Sequence, residues 1–432
     1  MIHSSTALIV ICLLSAAAAY LIVPKNKYKN IYIMLALLAV LIRIAIVSYL
    51  YSSGTEASGT DSLLYHQEGI GIARQLADGV PFFSVKYSYT WYTVFVGLIY
   101  HFFGVDRYVV SYINIVLAFF SAILILKMAL NHRYKFLNAA FISLAFLYFP
   151  NLSLWTADSR KESLLIFISC LCWYCVQQFT NDIVDKKGGV VLNICRIVLV
   201  CLLMWLCTLV RIYMFIPLAA GIAISQLLLY KKSLSRLSAG FAAAVAVTAV
   251  IIFFATMNPL TDDYHAISFS SEPSFSTTQE VTSKMQTVKT IASNRNIAVS
   301  IVNYVILPFP GDINIADLHG DHKLEFVVSM DMLAWYGCLI LMITGIYSTL
   351  RKKESCFIGL MAFMAAYIFI NAMVVENVAD TIYRYRSVIV GTALLLIDGD
   401  VVKYLFNRIE EPAGLKSINS SYSIFNSFGI KQ

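Results

Sequence analysis

Charge is what this chain has least of: Asp, Glu, Lys and Arg make up 13% of its 432 residues, against roughly 25% in an ordinary soluble domain. Apolar residues reach 59% and the mean hydropathy is +0.73. That balance excludes a soluble globular protein. Apolar runs of about 20 residues, long enough to cross a hydrocarbon core of roughly 30 Å as helices, recur from the N-terminus to near residue 405. No soluble domain fits between them. The expected organisation is one transmembrane domain over 1–405, with large polar loops at 52–107 and 257–326, and a polar cytoplasmic tail over 406–432.

Other absences narrow the reading. The nine cysteines form no framework: eight lie inside apolar segments and Cys356 borders one, as packing residues would. Cys170, Cys172 and Cys175 share a helical stretch with no His or carboxylate among them, so no metal ligand set is expected there. A divalent metal is compatible with the chain but is indicated nowhere in it, and no cofactor is expected. The formal charge of +7 is scattered through short loops, which argues against a nucleic-acid partner. The first apolar run, Thr6 to Val23, has Ala16 to Ala19 as a small-residue stretch but lacks a basic n-region. It reads as a retained helix with its N-terminus outside. There is no internal repeat.

The candidate spans are 6–23, 31–51, 108–130, 136–151, 163–179, 190–208, 211–230, 238–256, 327–350, 356–375 and 386–405. The expected fold is therefore an all-α polytopic bundle of about 11 transmembrane helices. The positive-inside rule then puts Lys25/Lys27/Lys29, Arg133/Lys135, Lys186/Lys187, Lys231/Lys232/Arg236, Arg351/Lys352/Lys353 and the C-terminal tail on the cytoplasmic side. This holds if Trp91 to Gly104, about 14 mostly apolar residues, is interfacial or re-entrant and does not cross. The localisation that follows is a bacterial inner membrane, with the N-terminus periplasmic and the C-terminus cytoplasmic.

The outer face collects the unusual residues. Asp61, Tyr65, His66 and Glu68 follow a long apolar segment, and a helix from near Ser58 would put Asp61, Tyr65 and Glu68 on one side. A carboxylate beside an imidazole near the bilayer suits a general base; Asp61 as a helix cap in a solvated loop is the plain alternative. Next comes Trp155-Thr-Ala-Asp158-Ser-Arg160-Lys161-Glu162, directly before an apolar helix. Capping and interfacial anchoring would account for Asp158, but not for two adjacent cations on the less positive side. Arg211 and Tyr213 sit between two apolar helices without basic neighbours, and Tyr383-Arg384-Tyr385-Arg386 follows Glu376, Asn377 and Asp380. Arginine's planar fork pairs with phosphate in two-point fashion, and tyrosines suit a lipid headgroup boundary. Snorkelling competes as the account of Arg384 and Arg386. Arg43, inside the second span, would cost roughly 3 kcal/mol facing lipid. It is expected to face the bundle interior, paired with a carboxylate that the sequence does not identify.

In order, these elements resemble the GT-C superfamily of bacterial polytopic sugar transferases, the group that includes lipid A aminoarabinose transferase and protein O-mannosyltransferases. An acidic residue in the family's first large periplasmic loop looks like Asp61, and Tyr89 through Gly104 to Asn114 is similar to the aromatic, Phe-Gly, Arg and Asn pattern behind it. Glu162, or else Asp158, matches a second acidic residue at the outer start of a later helix. Lys161-Glu162, Pro308-Phe309-Pro310 and Asn377 to Arg386 are similar to stretches in proteins encoded with polysaccharide clusters. Two helices precede the first loop where the family has one, and a lone Asp61 stands where the family has an acidic pair. The resemblance implies a transferase taking an undecaprenyl-phosphate-linked sugar, with Asp61 as base and His66 beside it. Glu162 would orient a substrate, and Lys161, Arg211, Arg384 and Arg386 would hold the phosphate, with Tyr65, Asp158, Arg160 and Tyr213 in the binding surface. The partners implied are membrane lipid, a polyprenyl-linked glycan donor and acceptor, and other polysaccharide assembly proteins. An O-antigen polymerase joining pyrophosphate-linked repeat units is the closest alternative, and a lipid-linked sugar transporter or flippase is a second.

Overall fold

A computed structural model describes residues 12, 13, 15–17, 19–52, 60–87, 90–132, 134–257, 297–307, 322–374 and 379–397. Among these residues there is no strand, and the chain is a helical bundle. Its helices are α1 (Lys29–Ser52), α2 (Thr60–Ala77), α3 (Trp91–Phe103), α4 (Arg107–Asn131), α5 (Phe136–Tyr148), α6 (Pro150–Ala157), α7 (Glu162–Asp185), α8 (Val190–Val210), α9 (Phe215–Ser233), α10 (Arg236–Met257), α11 (Ile297–Ile306), α12 (His322–Lys352), α13 (Ser355–Val374) and α14 (Ala379–Leu395). Eight of them are long and apolar enough to cross a membrane, and α5 with α6 makes a ninth span if the bent pair is taken as one. The protein is thus a multi-pass membrane protein by the length and composition of its helices. The expected span at 6–23 is described only in part, and that at 386–405 only as far as residue 397.

One expected span takes a different form, and one segment expected not to cross is short as expected. The span anticipated over 136–151 is two helices meeting at 55°, because Pro150 has no amide hydrogen to continue α5 and instead starts α6 at its first position. The buried amide of Asn151, which has no partner within its own helix at this start, is answered by Asp331 of α12, whose Oδ1 accepts it at 2.8 Å, while Asn151 Nδ2 donates to the Tyr383 carbonyl at 2.7 Å. The segment expected not to cross is α3, which at 13 residues covers only ~20 Å and packs back on α2. Gly69 and Gly97 let these helices touch: a Cβ at Gly97 would lie 2.3 Å from Ile72.

Connectivity sorts the charges between the two ends of the bundle. Lys186 and Lys187 follow the C-terminus of α7, while Lys231 and Lys232 close α9 and Arg351 and Lys352 close α12. His132, just past α4, meets Glu354 at 3.1 Å, which brings the ends of α4 and α12 together. Arg133 lies outside the described residues. Glu162 and Arg211 lie at the opposite ends of these spans.

The most extensive helix pairing among the described residues is α9 against α13, with Gly221 facing Gly359 at the crossing. A Cβ on Gly359 would stand 2.6 Å from both the Gly221 carbonyl oxygen and Ser225 Cβ. Small residues at a crossing let backbones approach where lipid supplies no hydrophobic drive. The buried cysteines Cys172, Cys207, Cys338 and Cys356 pack in the apolar interior, as expected. Gly359→Ala is expected to destabilise the protein by about 1–3 kcal/mol through overpacking. The check is a lowered midpoint of thermal unfolding in detergent; an unchanged midpoint would show that the crossing is looser than described.

Candidate functional site

The turn between α6 and α7 comes from a polar run too short to leave the bundle. Asp158 ends α6 in extended backbone and Lys161 precedes α7. Two residues from the α2–α4 region clamp the turn. Asn114 Nδ2 donates to the carbonyls of Asp158 and Arg160 at 2.7 and 2.8 Å, and the Tyr92 hydroxyl lies 3.1 and 2.9 Å from the carbonyl oxygens of Ser159 and Arg160. Satisfying these carbonyls away from water permits irregular backbone inside an apolar bundle.

Held there, Glu162 becomes the hub of a charge cluster. Its Oε1 accepts from Arg384 Nε at 2.7 Å and from Arg211 Nη2 at 3.2 Å, and it is fully buried. Arg384 also donates through Nη1 to Asp61 Oδ2 at 2.8 Å. The Arg211 guanidinium lies 3.9 Å from the centroid of the Tyr385 ring, and its Nη1 reaches the Tyr367 hydroxyl at 3.4 Å. Tyr367 donates in turn to the Tyr385 carbonyl at 3.0 Å. Half-buried Lys161 stands over the Tyr65 ring at 5.9 Å; among the described residues no carboxylate lies within ion-pair distance of its Nζ. Three basic side chains therefore face two carboxylates, a surplus of one basic group.

Two atoms at the centre have no hydrogen-bond partner among the described residues: Glu162 Oε2 and Arg384 Nη2, both buried. A buried group left in this state costs about 1–3 kcal/mol, more when charged. Burial would raise the Asp61 carboxyl, but the adjacent Arg384 charge and hydrogen bond, helped by Lys161 and Arg160, hold it well below the usual carboxylate range. Burial, and then the charges of Arg211 and Arg384, push the Lys161 ammonium down to about 7 against the pull of Glu162 and Asp61.

The other candidates divide. Tyr65 packs edge-on to Tyr92, with ring centroids 4.9 Å apart, and lines the cluster. His66 lies on the α3 side, its Nδ1 2.8 Å from the Tyr100 hydroxyl. Arg160 turns inward, with Nε 2.6 Å from Asp158 Oδ2 and its guanidinium 4.9 Å from the Trp155 ring. Tyr213 donates to Asn371 Oδ1 at 3.1 Å. Arg386, two residues beyond Arg384, serves a different place. It reaches the Tyr304 carbonyl at 3.0 Å and the Leu307 carbonyl at the end of α11, and Met332 Sδ on α12. Arg43 faces the interior as expected, but its partners are Thr156 Oγ1 at 3.0 Å and the Ala39 carbonyl at 3.3 Å, not a carboxylate. Pro308-Phe309-Pro310, Tyr89, Glu376 and Asn377 lie outside the described residues.

Tyr367, Asn371, Tyr92 and Asn114 are members that the charge pattern alone does not reveal. A signal was present for the first two: polar residues four apart in the apolar α13 share one helix face. Comparison with protein-family models, with curated proteins and with solved structures returned no match.

Lys161 offers a direct test of the electrostatics. Its amine is expected to acylate with an apparent pKa near 7, read by mass spectrometry across pH, whereas an ordinary lysine titrates near ~10.4. The unfolded chain keeps this proton longer, so stability rises with pH between about 7 and ~10.4, and Lys161→Met flattens that rise. Labelling that begins only above about pH 9 would contradict the crowding of cations.

Proposed function

We propose that the protein is a membrane glycosyltransferase that takes a polyprenyl-phosphate-linked sugar on the periplasmic face of a bacterial inner membrane, in surface-polysaccharide assembly. The observation that carries this reading is the cluster of Arg384, Arg211, Lys161, Glu162 and Asp61, in which three basic side chains face two carboxylates around the buried Glu162. A sugar phosphodiester carries one negative charge, which favours the protonated Lys161 and then matches the one basic group in excess; a pyrophosphate diester brings two. The basic helix ends lie at the other end of the bundle, and the positive-inside rule then favours an outer position for the cluster.

In the proposed reaction a hydroxyl oxygen of the acceptor bonds to the sugar's C1 while the bond from C1 to the phosphate oxygen breaks. The electron pair goes to the departing polyprenyl phosphate, and the hydroxyl proton goes to Asp61. The phosphate gains a second negative charge in this step. Arg384, Arg211 and Lys161 stabilise it, the kind of preorganised electrostatic contribution that is often the largest in catalysis. Glu162 keeps two guanidinium groups at fixed angles and so positions the phosphate contacts. The role of Arg386 lies with α11 and α12, away from this chemistry.

The test is transfer of sugar from a purified polyprenyl-phosphate donor in proteoliposomes, beside complementation of a deletion strain at matched membrane abundance. Asp61→Asn and Arg384→Ala are each expected to lower turnover by about 10²–10³-fold, and Arg386→Ala to act through folded yield. In cells, loss of one sugar with normal chain length fits the proposal. Collapse of the polysaccharide to single repeat units would assign the polymerase reaction instead, and full activity of both site variants would refute the enzyme assignment.

A further inference from the structure

Tyr304 carries a buried hydroxyl that the resting protein does not use. The residue is 1% exposed, and its hydroxyl has no hydrogen-bond partner among the described residues. Such a group costs stability. The backbone around it is provided for in full. The last carbonyls of a helix have no partner within it, yet four in succession at the end of α11 are answered from α12 and α14. Arg386 Nη2 donates to those of Tyr304 and Leu307, Trp335 Nε1 to that of Val305 at 2.9 Å, and the Tyr336 hydroxyl to that of Ile306 at 2.7 Å. Tyr304 is therefore held in one place.

That place adjoins the charge cluster. Helix α11 packs along α13, and the ionisable groups around the Tyr304 side chain are Arg386, Tyr213, Arg211, Tyr385 and Tyr367. Tyr213 spends its hydroxyl on Asn371 and Tyr367 on the Tyr385 carbonyl. Tyr304 keeps its own in reserve. The charged groups among these neighbours are both arginines, so the atom that best complements the surroundings of the hydroxyl is an anionic oxygen, which also makes the stronger class of hydrogen bond. Lipid has access on this side: Ile297, Val299 and Val302 of α11 and Ile212 beside Arg211 are exposed, while Tyr213 and Tyr385 are half-buried.

We propose that Tyr304 is a catalytic residue of the phosphate site, an inference that rests on the donor reading above: its hydroxyl donates a hydrogen bond to a phosphate oxygen of the lipid-linked donor held by Arg211. The hydroxyl keeps its proton throughout. As the bond from C1 breaks and the phosphate takes up its second negative charge, this hydrogen bond strengthens, so the contact favours the departing group over the intact diester. Arg386 serves the same end at one remove, by fixing the helix that presents Tyr304.

Tyr304→Phe removes one oxygen and keeps the ring. Because that oxygen has no partner to lose, the thermal midpoint of the full chain in detergent, without ligand, is expected not to fall. Calorimetry with farnesyl methyl phosphate as the probe is expected to show binding about tenfold weaker than in the parent, as loss of one hydrogen bond to a charged group gives. Sugar transfer in proteoliposomes is expected to drop by about 10²-fold. Unchanged binding and turnover would overturn the assignment, and so would a lowered midpoint, which would give the hydroxyl a structural role. The probe carries no sugar, so slower transfer with unchanged probe binding would place the contact on the sugar and also overturn it. In each of these cases probe binding that is lost in Arg384→Ala leaves the donor reading standing. Failure of the parent to bind the probe at all would overturn both.

Discussion

One carboxylate oxygen holding two guanidinium groups away from water is the constraint on which the functional end of this protein depends. Moving charges out of water is costly, and their mutual attraction offsets that only where geometry and further hydrogen bonds are good. Here Glu162 Oε1 serves Arg384 and Arg211 together, and Tyr385, Tyr367 and Tyr213 surround Arg211 with ring faces and a hydroxyl. The arrangement still leaves one basic group over and two polar atoms without partners among the described residues. A network assembled for stability alone would be expected to close such gaps. The charge imbalance falls where the proposed chemistry needs it.

The fold is arranged to deliver Glu162 to that point. The break at Pro150 lets α6 turn across the bundle, so the polar run from Asp158 to Lys161 is held among helices by Asn114 and Tyr92. Arg386 and Asp331 secure the surrounding frame, one at the carbonyl end of α11 and the other at the amide end of α6. Such uses suit helix termini, whose carbonyls and amides lack partners within their own helix. Two arginines separated by one residue on α14 thus do unlike work: Arg384 meets carboxylates and Arg386 meets backbone.

Much of this was legible in the sequence, and the parts that were not share a physical cause. Apolar length identified α1, α4, α7, α8, α9, α10, α12 and α13 as spans to within a few residues, because the hydrocarbon thickness imposes it. The bend between α5 and α6 was not legible, since both halves are apolar and only Pro150 marks the break. The out-of-place cations pointed to Lys161, Arg211 and Arg384, which the structure brings together with Asp61 and Glu162. Pattern could not separate Arg384 from Arg386, or Lys161 from Arg160, because neighbouring residues leave a helix or turn in different directions and only tertiary packing decides which one faces a partner. Tyr367 and Tyr92 were hidden among 26 tyrosines, most of which suit an interface equally well.

The position of a bound lipid phosphate bears most directly on the proposed chemistry. An experimental structure of the full chain in lipid nanodiscs with a bound prenyl phosphodiester would reveal it. The result predicted is phosphate density bridging Arg384, Arg211 and Lys161, with Glu162 still on both arginines. Phosphate density at the basic ends of α7, α9 and α12, with the cluster unchanged, would contradict it.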